Sequence, residues 1–280
     1  MSNSEKLLFI KFGGSLITDK QTPRTARREV IRKLADELKD GLERNPGMKV
    51  LVGHGSGSFG HVSAARHGTR DGVKTPEDWQ GFLEVWRDAR ELNNIVIEEF
   101  TAAGLPVISL SPSATTLADD GRVAGYSLDG IQHALKNDLI PVIHGDVVFD
   151  TTRGGTILST EELFVHLALV LKPQRILLAG QEPGVWADFP VCSALVSLIT
   201  PSTLAEIEGK LRGSAAVDVT GGMYQKVVTM LDLVKIVDGL EVLIFSGEDM
   251  AVLGAALDGE EAGTLICNRK VESAHSHAEE

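Results

Sequence analysis

The sequence predicts an α/β fold in which a largely parallel sheet is covered by helices on both faces. Apolar runs of about five residues alternate with longer amphipathic segments along nearly the whole chain. Glycine-rich turns follow several of these runs, as they do where a strand leads into a helix. No repeat, low-complexity block or linker interrupts the pattern, so we expect one continuous domain over residues 1–280.

The predicted strands are continuous apolar runs, as expected for strands buried on both faces. They are residues 7–12, 49–53, 106–110, 139–144, 175–179 and 241–245. The predicted helices are longer segments with apolar residues at three- and four-residue spacing. They cover residues 25–44, 78–103, 161–171, 201–211 and 222–237. Turn residues at 153–155 and near 121–128 separate short β runs, which indicates two hairpins.

Charge and cysteine content limit the classes of function. The net charge of -12 argues against a nucleic-acid partner, although a small anion can still bind where a few cations converge. Two distant cysteines favour a reducing, cytoplasmic location. Residues 1–6 lack the apolar core of a signal peptide, and no run approaches the roughly 20 apolar residues of a membrane helix. The polar tail, with His275 and His277, is expected to be disordered rather than metal-binding.

The first glycine-rich turn, loop 1 (residues 11–20), begins where the first predicted strand ends. Gly13 and Gly14 let the backbone direct its amide groups at an anion without interference from side chains. Lys11 and Lys20 bracket the two glycines, and two cations aimed at one anion suit phosphoryl transfer. A strand-to-helix turn with two solvated lysines would have the same spacing.

Loop 2, HGSGSFGH at residues 54–61, follows the second strand. It satisfies the dinucleotide pattern G-x-G-x-x-G, but a loop follows where that fold requires a strand ending in an acidic residue. His61 lies where a helix can begin and could donate to an anion at the helix N-terminus, or it could cap the helix or lie in the core. His54 is expected to be buried and structural. With His67, these histidines lack zinc-ligand spacing, so no metal site is predicted.

Loop 3, DVTGGMYQK at residues 218–226, again places a glycine pair at the start of a predicted helix. Lys226 lies one turn after Gly222, within reach of a phosphate at the helix start. No Walker A pattern occurs, so an ATP site here would not be a P-loop. Three such loops, each with a cation nearby, favour a polyphosphate site over three ordinary turns.

The loops resemble motifs of the amino acid kinase family, and those of its isopentenyl phosphate kinase branch in particular. The matching segments are KFGGSLITDK at 11–20, HGSGSFGH at 54–61, LNNIVIEEF at 92–100, PVISLSPS at 106–113, GDVVFD at 145–150 and DVTGGMYQK at 218–226. The resemblance spans about residues 7–268. It implies a three-layer αβα sandwich with a mostly parallel sheet. The acceptor lobe would cover about 7–172 and the nucleotide lobe about 173–268, followed by a tail at 269–280.

The resemblance also implies an activity in isoprenoid biosynthesis, the transfer of a phosphoryl group from Mg-ATP to isopentenyl phosphate. The residues expected to contact ATP are Lys11, Gly13, Gly14, Ser15, Gly57, Gly222 and Lys226. The residues expected to contact the acceptor are Ser56, His61 and Thr160. Lys11, Lys20 and His61 are the expected catalytic residues, with Lys20 on the moving phosphoryl group. The Mg²⁺ ion is expected on ATP oxygens, and a homodimer is the family expectation.

The chemistry agrees with these assignments. An acceptor phosphate is already ionised near neutral pH, so it needs positioning beside another polyanion rather than a general base. His61 is therefore assigned to binding and orientation. Trp79, Phe82 and Trp86 give the helix at 78–103 an apolar face, which is expected to be mainly core and to offer one or two contacts to an isoprenoid chain.

The sequence departs from the family pattern in three places. Ser56 stands where the family has glycine, and its hydroxyl can still donate. Glu161 stands where an aspartate organises the active-site lysines, and Thr160 where a glycine approaches the acceptor. Residues 179–186 keep only Gly184-Val-Trp186 of the usual motif, so the adenine and ribose contacts stay unassigned.

Two other functions fit the same residues. A kinase for another small phosphate or phosphonate, of the fosfomycin kinase type, also resembles the SFG part of loop 2. A non-catalytic nucleotide-binding module would fit the altered segments at 159–162 and 179–186. The cations Lys11, Lys20, His61 and Lys226 favour a catalyst, because a binding module does not need cations on both phosphates.

Overall fold

The computed structural model describes residues 6–204 and 222–269. Its strands are β1 (Lys6–Phe12), β2 (Met48–His54), β3 (Val107–Ser109), β4 (Thr116–Asp119), β5 (Arg122–Tyr126), β6 (Ile140–His144), β7 (Asp146–Asp150), β8 (Gly154–Leu158), β9 (Arg175–Gly180), β10 (Val185–Trp186), β11 (Leu195–Val196), β12 (Leu198–Ile199), β13 (Glu241–Ser246) and β14 (Thr264–Cys267). The described helices are α1 (Gly14–Ile17), α2 (Arg28–Arg44), α3 (Gly57–His67), α4 (Pro76–Ala102), α5 (Pro112–Thr115), α6 (Asp129–Lys136), α7 (Thr160–Leu171), α8 (Gly222–Ile236) and α9 (Met250–Asp258).

The main sheet has eight strands in the order β12-β14-β13-β9-β1-β2-β6-β3. Every neighbouring pair is parallel except β13 and β14. Because parallel strands end at the same edge, the loops after β1, β2, β6, β9 and β13 share one edge of the sheet. The chain leaves β1 toward β2 and leaves β9 toward β13, in opposite directions, and such a switch point is where open α/β sheets bind ligands.

The alternation of side chains along β1 shows why helices cover both faces. Leu8, Ile10 and Phe12 point into a core that also contains buried residues of α2, α4 and α9. Phe9 points the other way, into a core with residues of α7 and α8, and its ring centroid lies 5.0 Å from that of Phe164. The predicted three-layer αβα sandwich with a mostly parallel sheet is confirmed.

A second sheet, in the order β5-β4-β7-β8, contains both predicted hairpins. The β4–β5 turn holds Asp120 and Gly121 at φ 46° and 78°, the left-handed conformation that short hairpin turns require. Val147 of β7 packs against Val73, Phe82 and Val85 in a small buried cluster. This sheet therefore lies against α4 beside the main sheet.

The predicted strands and the long helices occur within a few residues of their predicted bounds. The long helix α4 begins at Pro76 rather than 78, because Thr75 and Asp78 form a reciprocal capping box. Of the predicted helix at 201–211, residues 201–204 are helical and the rest lies outside the described residues, as does the tail with His275 and His277. The prediction missed α3, α6, α9 and β14. Among the described helices, none is long and apolar enough to cross a membrane.

Candidate active site

Loops 1 and 2 are in backbone contact at the carboxyl edge of the sheet. A Cβ atom added to Gly14 would lie 2.4 Å from the nitrogen of Gly57, and one added to Gly55 would lie 2.8 Å from the nitrogen of Gly14. Gly57 also has φ 49°, a conformation that L residues rarely adopt. The glycines are thus required for the close approach of the two loops.

Thr18 joins the two loops, and the sequence reasoning missed it. Its hydroxyl donates to the Gly14 carbonyl at 2.7 Å and accepts from the Ser58 N–H at 3.0 Å. The side chain is buried, as are those of the preceding Leu16 and Ile17. A threonine four residues after a glycine pair was the only available signal.

The predicted anion contacts of loop 1 need one correction. The N–H of Gly13 donates to the Ala179 carbonyl of β9 at 2.8 Å, so this amide is committed to the sheet. The N–H groups of Gly14, Ser15, Ser56 and Gly57 make no hydrogen bond to any described residue. These four amides, rather than that of Gly13, are available to an anion.

Lys11 and Lys226 meet at one carboxylate. The Nζ atom of Lys11 lies 2.7 Å from Oε1 of Glu161, and Nζ of Lys226 lies 4.0 Å from the same oxygen. Lys11 ends β1, Glu161 lies in the first turn of α7, and Lys226 lies in α8 one turn after Gly222. Glu161 therefore organises two predicted ATP-contacting lysines, the role that the resemblance gave to this position.

The charges around Glu161 explain its ionisation. Burial alone would raise the pKa of this carboxyl, but Lys11 and Lys226 outweigh burial and lower the pKa to about 2. Its place at the amino end of α7 acts in the same direction, because the helix dipole favours an anion there. Lys11 and Lys226 thus bring two ammonium groups to one place at the carboxyl edge of the sheet, where a polyphosphate can contact them.

Replacing Glu161 by glutamine should destabilise the protein by about 3 kcal/mol at pH 7, because two partly buried ammonium groups lose their counter-charge. The folded pKa of about 2 lies below the ordinary value of 4.5, so the stabilisation is complete above pH 4.5 and is lost as pH falls toward 2. Urea unfolding of wild type and E161Q at several pH values should show their difference shrinking below pH 4.5. E43Q, at an exposed position of α2, is the control; a pH-independent E161Q effect would contradict the ion pair.

His61 does not lie at the helix start, as the sequence reasoning expected. α3 begins at Gly57, so His61 belongs to its second turn, and helical side chains lean back toward the N-terminus. Partial removal from water and the charges of Lys11 and Arg70 lower its pKa, while Glu161 acts in the opposite direction. His61 is therefore a neutral donor near the lysine cluster, with an exposed side chain.

Lys20 is not part of the lysine cluster. Its side chain is exposed, and it makes no ion pair or hydrogen bond with the residues in 6–204 and 222–269. Its loop is tied to loop 2 by the Arg24 N–H, which donates to the Ser58 carbonyl at 3.2 Å. The structure thus brings Lys11, His61 and Lys226 together and leaves Lys20 at the rim of loop 1.

The other predicted contacts are placed as follows. Gly222 is the first described residue of α8. Residues 218–221 of loop 3 lie outside the described part of the chain. The side chain of Thr160 is buried, and its hydroxyl donates to the His54 carbonyl at 2.6 Å. Only the backbone of Thr160 is left to face an acceptor.

Two buried histidines lie at the ends of the strands that lead into loop 2 and into the turn after β6. His54 and His144 end the paired strands β2 and β6, and their rings stack 5.4 Å apart at 11°. Burial lowers the pKa of both to about 4 and raises the pKa of nearby Asp146 to about 6. His54 is buried, as predicted. The sequence reasoning missed the pair, although each strand ends in the same His-Gly dipeptide.

An apolar cluster adjoins His61. Ala64, one turn further along α3, packs against the buried group of Val73, Phe82, Val85 and Val147, together with Trp79, Trp86 and Ile157. Phe149 of β7 is half exposed beside it, with its ring centroid 5.6 Å from that of Phe82. The helix face predicted from Trp79, Phe82 and Trp86 thus lies in an apolar cluster next to the cation site.

Comparisons with known proteins show which family the chain resembles. The model of the amino acid kinase family matches residues 6–246. The isopentenyl phosphate kinases of Methanocaldococcus jannaschii and Haloferax volcanii are 32% and 34% identical to this chain, and each alignment covers 93% of this chain and 98% of the relative. An acetylglutamate kinase of a Nocardioides species is 25% identical over 84% of this chain and 78% of the relative.

Solved structures give the same result for the fold. The structure of an isopentenyl phosphate kinase substrate complex superposes with a TM-score of 0.75 at 25% identity, covering 92% of this chain and 99% of that one. A second isopentenyl phosphate kinase structure gives 0.74 at 27% identity, covering 93% and 99%. The match of the family model over residues 6–246, together with these relatives, shows that the chain belongs to the amino acid kinase family.

Proposed function

We propose that this protein transfers the γ-phosphoryl group of ATP to isopentenyl phosphate, giving isopentenyl diphosphate and ADP in isoprenoid biosynthesis. The observation that carries the proposal is the meeting of Lys11, Glu161 and Lys226 close to His61, with an apolar cluster one helical turn away. A cation-rich site beside an apolar surface suits an acceptor with a charged head and a short hydrocarbon tail.

On the nucleotide side, the free amides of Gly14, Ser15 and Gly57 would bind the ATP phosphates together with Lys11 and Lys226. Gly13 would contribute by letting the backbone pass close, and Gly222 by starting α8 there. The regions at about 173–268 and 7–172 would serve as nucleotide and acceptor lobes.

On the acceptor side, His61 and the Ser56 N–H would bind the acceptor phosphate, with the Thr160 backbone beside it. One oxygen of that phosphate attacks the γ-phosphorus, and the bond to the β,γ-bridging oxygen breaks as ADP leaves. The attacking oxygen carries no proton to remove, so the protein supplies orientation and positive charge. Lys20 would neutralise the phosphoryl group in transit.

Magnesium would arrive with the nucleotide. Among the described residues, no three His, Cys, Asp or Glu side chains form a group that could hold a metal, and Glu161 is already bound by two lysines. Mg²⁺ commonly binds through substrate phosphates with few protein ligands. Mg²⁺ would therefore be held mainly by ATP oxygens.

The test of the proposal is turnover with ATP across a panel of acceptors: isopentenyl phosphate, dimethylallyl phosphate, fosfomycin, N-acetylglutamate and glycerol phosphate. We expect the highest kcat/KM with isopentenyl phosphate. Turnover of only the polar acceptors would overturn the isoprenoid assignment, and ATP binding without turnover of any would favour a non-catalytic role.

Replacing His61 by alanine should lower turnover at least about tenfold, because a donor to the acceptor phosphate is lost. The side chain is exposed, so Tm should change little. H133A is a matched control, since His133 is an exposed histidine on α6. Activity of H61A equal to that of H133A would remove His61 from the site.

A further inference from the structure

The buried histidine at the start of loop 2 contacts the loop itself. Nδ1 of His54 lies 3.1 Å from the Gly55 carbonyl oxygen, and Nε2 lies 3.2 Å from Oδ1 of Asn93. Asn93 in turn bonds the hydroxyl of Ser109 at 2.8 Å. The His144 ring stacks on one face of His54. The imidazole is therefore held by contacts from α4 and β6.

The main-chain carbonyl of Gly55 selects one tautomer, because its role is fixed, whereas the side-chain amide of Asn93 can present either its oxygen or its nitrogen. A carbonyl oxygen only accepts, so Nδ1 of His54 must carry the proton that it donates to Gly55. Full burial and the adjacent His144 keep the ring neutral, with a pKa of about 4, so Nε2 is an acceptor. In the structure Oδ1 of Asn93 faces Nε2, and Nδ2 of Asn93 donates to Ser109. With the proton of His54 on Nδ1, this amide must turn by 180°, so that Nδ2 donates to Nε2 and Oδ1 accepts from the Ser109 hydroxyl, which can serve either role.

The bond to Gly55 fixes the peptide that follows. A trans peptide is planar, with its carbonyl and its N–H pointing in opposite directions. Since the buried His54 ring holds the Gly55 carbonyl, the Ser56 N–H points away from the core. That N–H makes no hydrogen bond to any described residue.

We propose that His54 is a positioning residue for the acceptor phosphate: its Nδ1–H holds the Gly55 carbonyl and so directs the Ser56 N–H at a phosphate oxygen. The inference rests on the proposed function. A donor held in advance needs no reorganisation when the acceptor binds. It also accounts for Ser56 in place of glycine, because the donor is the main chain. The Ser56 hydroxyl folds back over α3, where a Cβ on Gly60 would lie 2.8 Å from it.

Two variants distinguish the roles of the two imidazole nitrogens of His54. Asparagine at position 54 places its amide nitrogen where Nδ1 lies, and glutamine places its own where Nε2 lies. We expect H54Q to raise KM for isopentenyl phosphate at least about tenfold and H54N by no more than about threefold, with KM for ATP within about twofold in both. A purely structural histidine would give equal KM values in the two variants, and that result would overturn the proposal.

A second measurement does not depend on activity. Long-range ¹H–¹⁵N correlation spectra of wild-type protein labelled with ¹⁵N-histidine should show His54 as the neutral Nδ1–H tautomer. A proton on Nε2 would overturn the proposal, even if both variants fail to fold. Turnover of isopentenyl phosphate by wild type is measured in parallel. If wild type did not turn over isopentenyl phosphate, the proposed function and the phosphate contact would both be wrong. The tautomer of His54 would still decide whether its ring donates to the Gly55 carbonyl.

Discussion

The replacement of Lys11 by methionine should lower kcat about 1000-fold or more, the largest loss that we expect from one substitution. Lys11 is buried and 2.7 Å from Glu161, so its ammonium is fixed where the two phosphates are proposed to meet. Methionine keeps most of the volume of the side chain and removes the charge. Steady-state kinetics should show the loss mainly in kcat.

Lys6→Met is the control for this variant, because Lys6 lies at the exposed start of the same strand. We expect K6M to keep wild-type kinetics. If K11M retained activity within about tenfold of K6M, Lys11 would have no part in phosphoryl transfer.

Replacing Lys20 by alanine should lower kcat at least about tenfold, with a change in Tm close to zero. Tm should stay unchanged because the Lys20 side chain is exposed and makes no ion pair or hydrogen bond with the described residues. Its removal therefore breaks no contact in the described part of the protein, and its charge is available to a ligand. Kinetics with saturating ATP and acceptor, together with a thermal melt, measure both quantities.

The exposed Lys33 of α2 supplies the matched lysine-to-alanine control. K33A should be active and equally stable. Wild-type kcat in K20A would show that the transferred group is neutralised by Lys11 and Lys226 alone.

The strands of the main sheet were predictable because burial on both faces produces continuous apolar runs. Helix α3 was not predicted, because Gly57 and Gly60 in its first turn are typical of a loop. In the structure this helix buries Phe59 and Ser63. Strand β14, which was not predicted, lies between β12 and β13 and pairs antiparallel with β13, unlike the other main-sheet pairs, which are parallel.

The cations of the site were predictable from their places beside glycine pairs, but their partners were not. The contact of Lys11 with Glu161 joins residues 150 positions apart, and only the resemblance pointed to it. The stacking of His54 on His144 depends on the register of β2 against β6, which no local pattern encodes. The commitment of the Gly13 amide to Ala179 depends in the same way on the pairing of β1 with β9.

The contact between Gly14 and Gly57 has a consequence for engineering. Because a Cβ at Gly14 would overlap the backbone of loop 2, and Gly57 has a positive φ, any exchanged loop must keep glycine at these two positions. A chimera that changes acceptor preference should carry residues 11–20 and 54–61 from one parent, with the threonine that joins them. Libraries that vary either loop should hold Gly14, Thr18 and Gly57 constant, because a change at any of them alters the contact between the two loops.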